Sequence, residues 1–214
     1  KSTKDKQMIE LYTWPTPNGR KITIMLEELE VLYEPHLIDI YNNEQFSEKF
    51  TRISPSNKIP AIIDNDNKKS VFESGAIMLY LANKYNKLIP QHRYWETLEW
   101  FTFQLSQVGP LLGQAHQFLF YNPNQSLFIE EKYKNYAKRI YQTLDDRLKN
   151  HEYLADEYSI ADIATWPWIA RFKRQKIKLE NYPNVLQWYN IIKKRPAVIK
   201  GYNTIGEKEQ IPFK

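Results

Sequence analysis

The chain changes character at Lys87-Leu88-Ile89-Pro90-Gln91, and that break limits what it can fold into more than any single motif. Before it, strand and helix patterns alternate. Met8-Ile9-Glu10-Leu11-Tyr12 is a short β-prone run ended by Pro15 and Pro17. From Lys21 to Val31, apolar residues at Ile22, Met25, Leu26 and Leu29 recur at the spacing of one helical face. Tyr33 to Ile40 reads as a second strand, and Gln45 to Phe50 as a short helix. Ala61-Ile62-Ile63 and Ser70-Val71-Phe72 flank the polar turn Asp64-Asn65-Asp66-Asn67, the pattern of a hairpin. Helical spacing returns from Ser74 to Tyr85. The order β-α-β-α-β-β-α predicts an α/β domain with a mixed sheet.

After Pro90 the strand signals vanish. Helical patterns over about 95–112, 128–148, 160–172 and 185–195 predict an all-α second domain. The domains are accordingly placed at residues 8–88 and 93–205, with an irregular tail expected from Gly201. Within the second, Ser159-Ile160-Ala161-Asp162 sets a capping hydroxyl three residues before an acid, the arrangement of a capping box. Its task is folding, not chemistry.

Composition removes several function classes. The chain of 214 residues has no cysteine, which excludes disulfides, cysteine-bound metals and a protein thiol nucleophile. Four scattered histidines offer no ligand spacing either, so no metal is expected. Lys and Arg number 30 against 25 Asp and Glu, a net charge of +5. The two signs are interspersed, which reads as a solvated surface and not as a nucleic-acid face. No apolar run reaches the length of a membrane span. Residues Lys1 to Lys6 read as a polar tail with no signal-peptide core behind it, so a cytoplasmic protein is the expectation.

Three short segments carry candidate ligand contacts. Trp14-Pro15-Thr16-Pro17-Asn18-Gly19 joins the first strand to the first helix, where unpaired N–H groups favour negative charge. Thr16 and Asn18 add a hydroxyl and an amide, donors that would stabilise a thiolate over a thiol. The plainer alternative is that Asn18 caps the helix and Thr16 fills the turn. In Asn57-Lys58-Ile59-Pro60 the proline biases Ile59 towards extended backbone. A cis Ile59-Pro60 bond would turn the Ile59 N–H and C=O sideways, for a peptide-like ligand to pair with as an added strand. Lys58 is placed to meet a carboxylate, unless the segment is simply a loop entering a strand. Glu73-Ser74 opens the third helix: Ser74 and nearby backbone donors suit a carboxylate, and Glu73 suits an ammonium. Together they match the zwitterionic end of a γ-glutamyl group, although a helix cap would also account for them.

Several separated motifs, in order, resemble one family. They are Pro15-Thr16-Pro17-Asn18-Gly19, Arg52-Ile53-Ser54-Pro55, Asn57-Lys58-Ile59-Pro60-Ala61, Phe72-Glu73-Ser74-Gly75-Ala76-Ile77, Pro110-Leu111-Leu112-Gly113-Gln114, Trp166-Pro167-Trp168 and Arg195-Pro196-Ala197-Val198. Over roughly residues 8–200 the chain resembles the cytosolic glutathione transferases, within them the bacterial nu class of disulfide-bond reductases and the similar fungal nitrogen regulators. The resemblance implies a thioredoxin-like N-terminal domain, an all-helical C-terminal domain and a homodimer. It implies glutathione as bound cosubstrate, held by Asn18, Gln45, Lys58, Ile59, Glu73 and Ser74, with Thr16 and Asn18 facing the sulfur and the cis proline at Pro60. A basic residue of the second domain also holds ligand in this branch. Its counterpart is Lys132, which lacks the bidentate fork of the arginine in bacterial relatives.

The activity implied is glutathione-dependent disulfide reduction. The alternatives are conjugation of glutathione to electrophiles, with Phe118, Phe120 and Tyr121 as an aromatic wall, and a non-enzymatic regulatory role. His116 has no nucleophile partner and reads as structural or cleft-lining.

Overall fold

The computed structural model describes residues 8–206 and 210–212; the polar tail expected at residues 1–6 lies outside them. The chain forms two compact units. The first ends at Lys87 and takes back the segment from Arg195 to Ile211, and the second begins at Leu88 and ends at Lys194, with Pro212 joining it.

In the first unit β1 (Ile9–Thr13), β2 (Tyr33–Leu37), β3 (Ala61–Asp64) and β4 (Lys69–Phe72) make one mixed sheet in the order β2-β1-β3-β4. β1 runs parallel to β2 and antiparallel to β3, and β3 and β4 form the expected hairpin. A parallel pair needs a crossover, which α1 (Pro17–Glu28) supplies. A 3-10 turn at Glu44–Phe46 leads into the short α2 (Glu48–Thr51), and α3 (Ser74–Tyr85) follows β4. This is the thioredoxin-like arrangement. Pro35 falls in β2, an edge strand, where a missing N–H is tolerated.

α1 begins four residues before the apolar spacing predicts. Thr16 is its N-cap, accepting the Gly19 N–H at 3.1 Å, and Pro17 takes the first helical position. The cap is therefore Thr16 and not Asn18. Gly19 is required here: a Cβ would lie 2.0 Å from the Trp14 carbonyl oxygen. The spacing also predicts one buried face, yet every residue from Gly19 to Leu26 is buried.

The cause is α9 (Pro196–Asn203), which the sequence grouping assigned to the helical domain and whose last turn was expected to be irregular. It packs on α1 instead. Thr23 donates to the Gly201 carbonyl at 2.7 Å, and Arg195 grips Glu28 through two bonds of 2.6 and 2.9 Å. Gly201 permits the approach, since a Cβ there would lie 2.6 Å from Ile24 Cα.

The second unit is helical: α4 (Tyr94–Phe103), α5 (Gly109–His116), α6 (Leu127–Leu148), α7 (Ile160–Ile169) and α8 (Pro183–Lys193). α4 and α5 each run on into a π turn, at Gln104–Val108 and Gln117–Tyr121, so the helix predicted to end near 112 continues to Tyr121. The capping box at α7 forms, with all ten helix residues buried. Asp162 accepts from the Leu154 N–H at 3.0 Å, the Ser159 N–H at 3.0 Å and the Trp188 Nε1–H at 2.8 Å. Burial pushes its carboxyl up to about 6, against the pull of those donors. Among the described residues, no helix is long and apolar enough to cross a membrane.

Gly201→Ala is expected to lower stability by about 1–3 kcal/mol, the usual range for forced overpacking, because both contacting partners are backbone. A fall in the denaturant midpoint measures it, and an unchanged midpoint would show that α9 yields.

Candidate functional site

Strand register assembles the site. Tyr12 lies opposite Ala61, and Ala61 opposite Phe72. The C-terminal end of β1, the N-terminal end of β3 and the C-terminal end of β4 therefore meet at one end of the sheet. The residues just beyond them are Thr16 and Asn18, Lys58 and Ile59, and Glu73 and Ser74. All three candidate segments come together there.

Each segment is held by local chemistry. The Thr16 oxygen accepts the Gly19 N–H, and its hydroxyl proton can still be donated to a ligand. Asn18, half-buried, is the second residue of α1. The Ile59–Pro60 bond is cis. The Ile59 side chain packs against the cluster of Tyr12, Phe50 and Ala61, while neither its N–H nor its C=O has a backbone partner among the described residues. An unpaired, anchored backbone of this kind can take an extended peptide. Asn57, at a left-handed φ of 55°, ties the loop down by donating to the Gln45 carbonyl at 2.9 Å and the Thr51 hydroxyl at 2.6 Å. That bond brings Gln45 to the same loop. Its side-chain oxygen is buried with no donor among the described residues, so it can receive a ligand N–H. Lys58 is exposed and has no side-chain partner among the described residues.

Glu73 has φ 69° and ψ 121°, a strained backbone for a residue with a side chain. It is exposed, whereas Ser74 beside it is buried. Behind them lies a residue to which the sequence reading gives no role. Lys21 of α1 is fully buried, and its ammonium donates to Ser74 Oγ at 3.2 Å. Burial pulls its pKa down to about 7, partly offset by the Glu73 carboxylate. One signal was available: Lys21 precedes Met25 by one turn, which puts a charge on the apolar stripe itself.

The remaining candidates belong to the second unit. Lys132 is exposed on α6, its ammonium 6.0 Å from the Tyr133 ring centre. Phe118 stacks on Tyr133, while Phe120 and Tyr121 are exposed and share the Arg174 guanidinium. His116 is buried against Trp168 and lies 3.0 Å from Gln175 Nε2; burial and the nearby Arg174 and Arg171 lower its pKa to about 3. A neutral, enclosed imidazole fits the structural role read from sequence.

Comparison with known proteins places the chain in a family. A family model described as glutathione S-transferase, N-terminal domain, matches residues 7–83. The corresponding C-terminal domain model matches residues 111–196. The chain is 46% identical over 199 residues to disulfide-bond oxidoreductase YfcG of Escherichia coli, covering 89% of this chain and 92% of that protein. Disulfide-bond oxidoreductase YghU of the same organism is 37% identical over 215 residues, covering 92% and 74%. Among solved structures, a glutathione transferase from Burkholderia graminis, with two glutathione molecules bound per subunit, superposes with a TM-score of 0.86 at 38% identity, covering 92% of this chain and 88% of that one. A glutathione transferase from Pseudomonas putida, with one glutathione disulfide per subunit, gives a TM-score of 0.88 at 37% identity, covering 94% and 93%.

The site makes stability depend on pH. An unfolded lysine titrates near 10.4, whereas Lys21 in the fold titrates near 7. Between those values the unfolded chain binds the proton and the folded one does not, so stability rises with pH above about 7. Lys21→Met is expected to be more stable than wild type at pH 6 and to have a flatter stability profile from pH 7 to 9. Equal slopes in the two proteins would contradict the burial of that charge.

Proposed function

Because the chain belongs to the glutathione S-transferase family, we propose that it binds glutathione at this end of the sheet and uses the glutathione thiolate to reduce disulfides. One observation carries the reading. A chain without cysteine brings a helix N-terminus with two side-chain donors, the Ile59 backbone (without a backbone partner among the described residues) and a Glu-Ser pair to one end of the sheet. These are the contacts that a γ-glutamyl tripeptide thiol would use.

Thr16 and Asn18, at the start of α1, donate towards the sulfur and favour its ionised form. Ile59 pairs with the ligand backbone, and Gln45 accepts an N–H. Glu73 receives the ligand ammonium, and Ser74 donates to its α-carboxylate. Lys58 and Lys132 add positive charge for the ligand's carboxylates.

The thiolate attacks one sulfur of the substrate disulfide. A glutathione–substrate S–S bond forms as the original S–S bond breaks, and the leaving thiolate takes a proton. A second glutathione thiolate then attacks the glutathione sulfur of the mixed disulfide and releases the other half of the substrate. Two glutathiones are oxidised to one glutathione disulfide, and one substrate disulfide is reduced to two thiols. The protein supplies thiolate stabilisation and alignment, which is why it needs no cysteine of its own. Relatives that hold two glutathiones or a glutathione disulfide support this stoichiometry. A homodimer in the cytoplasm, where thiols are kept reduced, goes with the reading.

Reduction of a small mixed disulfide by glutathione, coupled to glutathione reductase and NADPH, tests it. Asn18→Ala is expected to lower kcat about 10- to 100-fold with a much smaller change in KM, as for loss of a donor to developing charge. Unchanged turnover would remove Asn18 from the sulfur. Negligible disulfide reduction alongside brisk conjugation to an aryl halide would move the assignment to transferase chemistry. Glu73→Gln is expected to raise the KM for glutathione about 10-fold or more by losing a charge-assisted bond. An unchanged KM would place the ligand ammonium elsewhere.

A further inference from the structure

We propose that Lys21 is a positioning residue for the γ-glutamyl end of glutathione: its buried ammonium, donating to Ser74 beside Glu73, commits the Ser74 hydroxyl proton to the ligand's α-carboxylate. The inference rests on the glutathione reading above.

The argument begins with proton inventory. An ammonium has three donors and no acceptor, so in the 3.2 Å contact the Ser74 oxygen must accept. Its own proton is directed elsewhere, and no acceptor among the described residues takes it. Ser74 is also the first residue of α3, so this proton and the unpaired N–H groups of the first turn gather at one anion-favouring point. With an apolar side chain at 21 nothing forces the hydroxyl to that orientation.

Charge acts in the same direction. The ligand carboxylate would lie beside Glu73, and two carboxylates repel unless a cation stands between or behind them. Lys21 is that cation, and the Glu73 carboxylate is close enough to raise its titration against the effect of burial. Burial drives the Lys21 pKa down towards 7, so the fold holds an ammonium where an apolar side chain of similar length would be more stable. Residues that lower stability in this way concentrate at functional sites.

The test uses two ligands and the whole chain at pH 6.5, with affinity read by calorimetry. S-methylglutathione has no thiol to titrate. Its analogue with a 4-aminobutanoyl group in place of γ-glutamyl keeps the ammonium and lacks the α-carboxylate. Lys21→Met is expected to bind S-methylglutathione about 10-fold more weakly than wild type, the scale of one charge-assisted hydrogen bond. The two proteins are expected to bind the analogue alike. In turnover the loss is expected in KM for glutathione and not in kcat. On a Ser74→Ala background, the Lys21 substitution is expected to add little, because its effect passes through that hydroxyl.

Lys21→Leu, likewise without a donor, is the second variant should methionine disturb folding, with the same selective loss expected. Equal affinity of variant and wild type for S-methylglutathione overturns the role of Lys21. So does an equal weakening towards both ligands, which would mark a general packing effect. If wild type itself does not bind S-methylglutathione, the glutathione reading falls and the inference with it.

Discussion

Tyr12 opposite Ala61, and Ala61 opposite Phe72, is the pairing on which the site depends. It draws segments from three parts of the first 74 residues to one end of a four-stranded sheet. A slip of one residue in either ladder would turn the side chains of a strand to the opposite face. The buried Ile9, Leu11, Ala61 and Ile62 oppose such a slip, because it would exchange the side chains packed on the two faces of the sheet. The same core holds Ile59 by its side chain, which leaves that residue's backbone unpaired at the sheet end. Packing thus sets the geometry, and the polar groups of the ligand site ride on it.

Around that sheet end the structure departs repeatedly from what stability alone favours. Glu73 has a positive φ, Lys21 carries an amine into the interior, and among the described residues Gln45 keeps a buried oxygen without a donor and the Ile59 N–H and C=O have no backbone partner. A strained φ, or a buried polar group left without a partner, costs on the order of 1–3 kcal/mol. Their clustering is more informative than any one of them, since features of this cost gather at functional sites. The supports lie on the far side of α1. Arg195 on Glu28, Lys200 on Glu27 at 2.7 Å and Thr23 on the Gly201 carbonyl fasten α9 to that helix and hold its N-terminus in place.

Local chemistry was legible in the sequence where neighbours in the chain decide it. The hairpin from Ala61 to Phe72, the capping box of Ser159 and Asp162, and the bias of Ile59 before Pro60 all act over a few residues. Prediction failed where a distant segment decides. Nothing in the apolar spacing of α1 shows that α9 will cover its other face, so residues 196–203 were grouped with the helices that precede them. The early start of α1 was missed for another reason: Pro17 looks like a breaker, yet at the first helical position its missing N–H has no partner to lose. The π turns after α4 and α5 leave no clear mark on a pattern read at 3.6 residues per turn.

By itself the sequence determined the class of the two halves, the absence of a protein thiol, and the donor-rich turns at Thr16, Ile59 and Ser74, because periodicity, composition and capping are properties of short stretches. Only the tertiary structure decided that those turns meet, because strand register is set by burial across the sheet and not along the chain. It alone decided the state of Lys21. In the chain that residue is one lysine among many, and in the fold it is an amine closed off from water against Ser74, its titration pulled down to about 7. Desolvation is a property of the enclosure that α1 enters, which no stretch of the chain contains by itself.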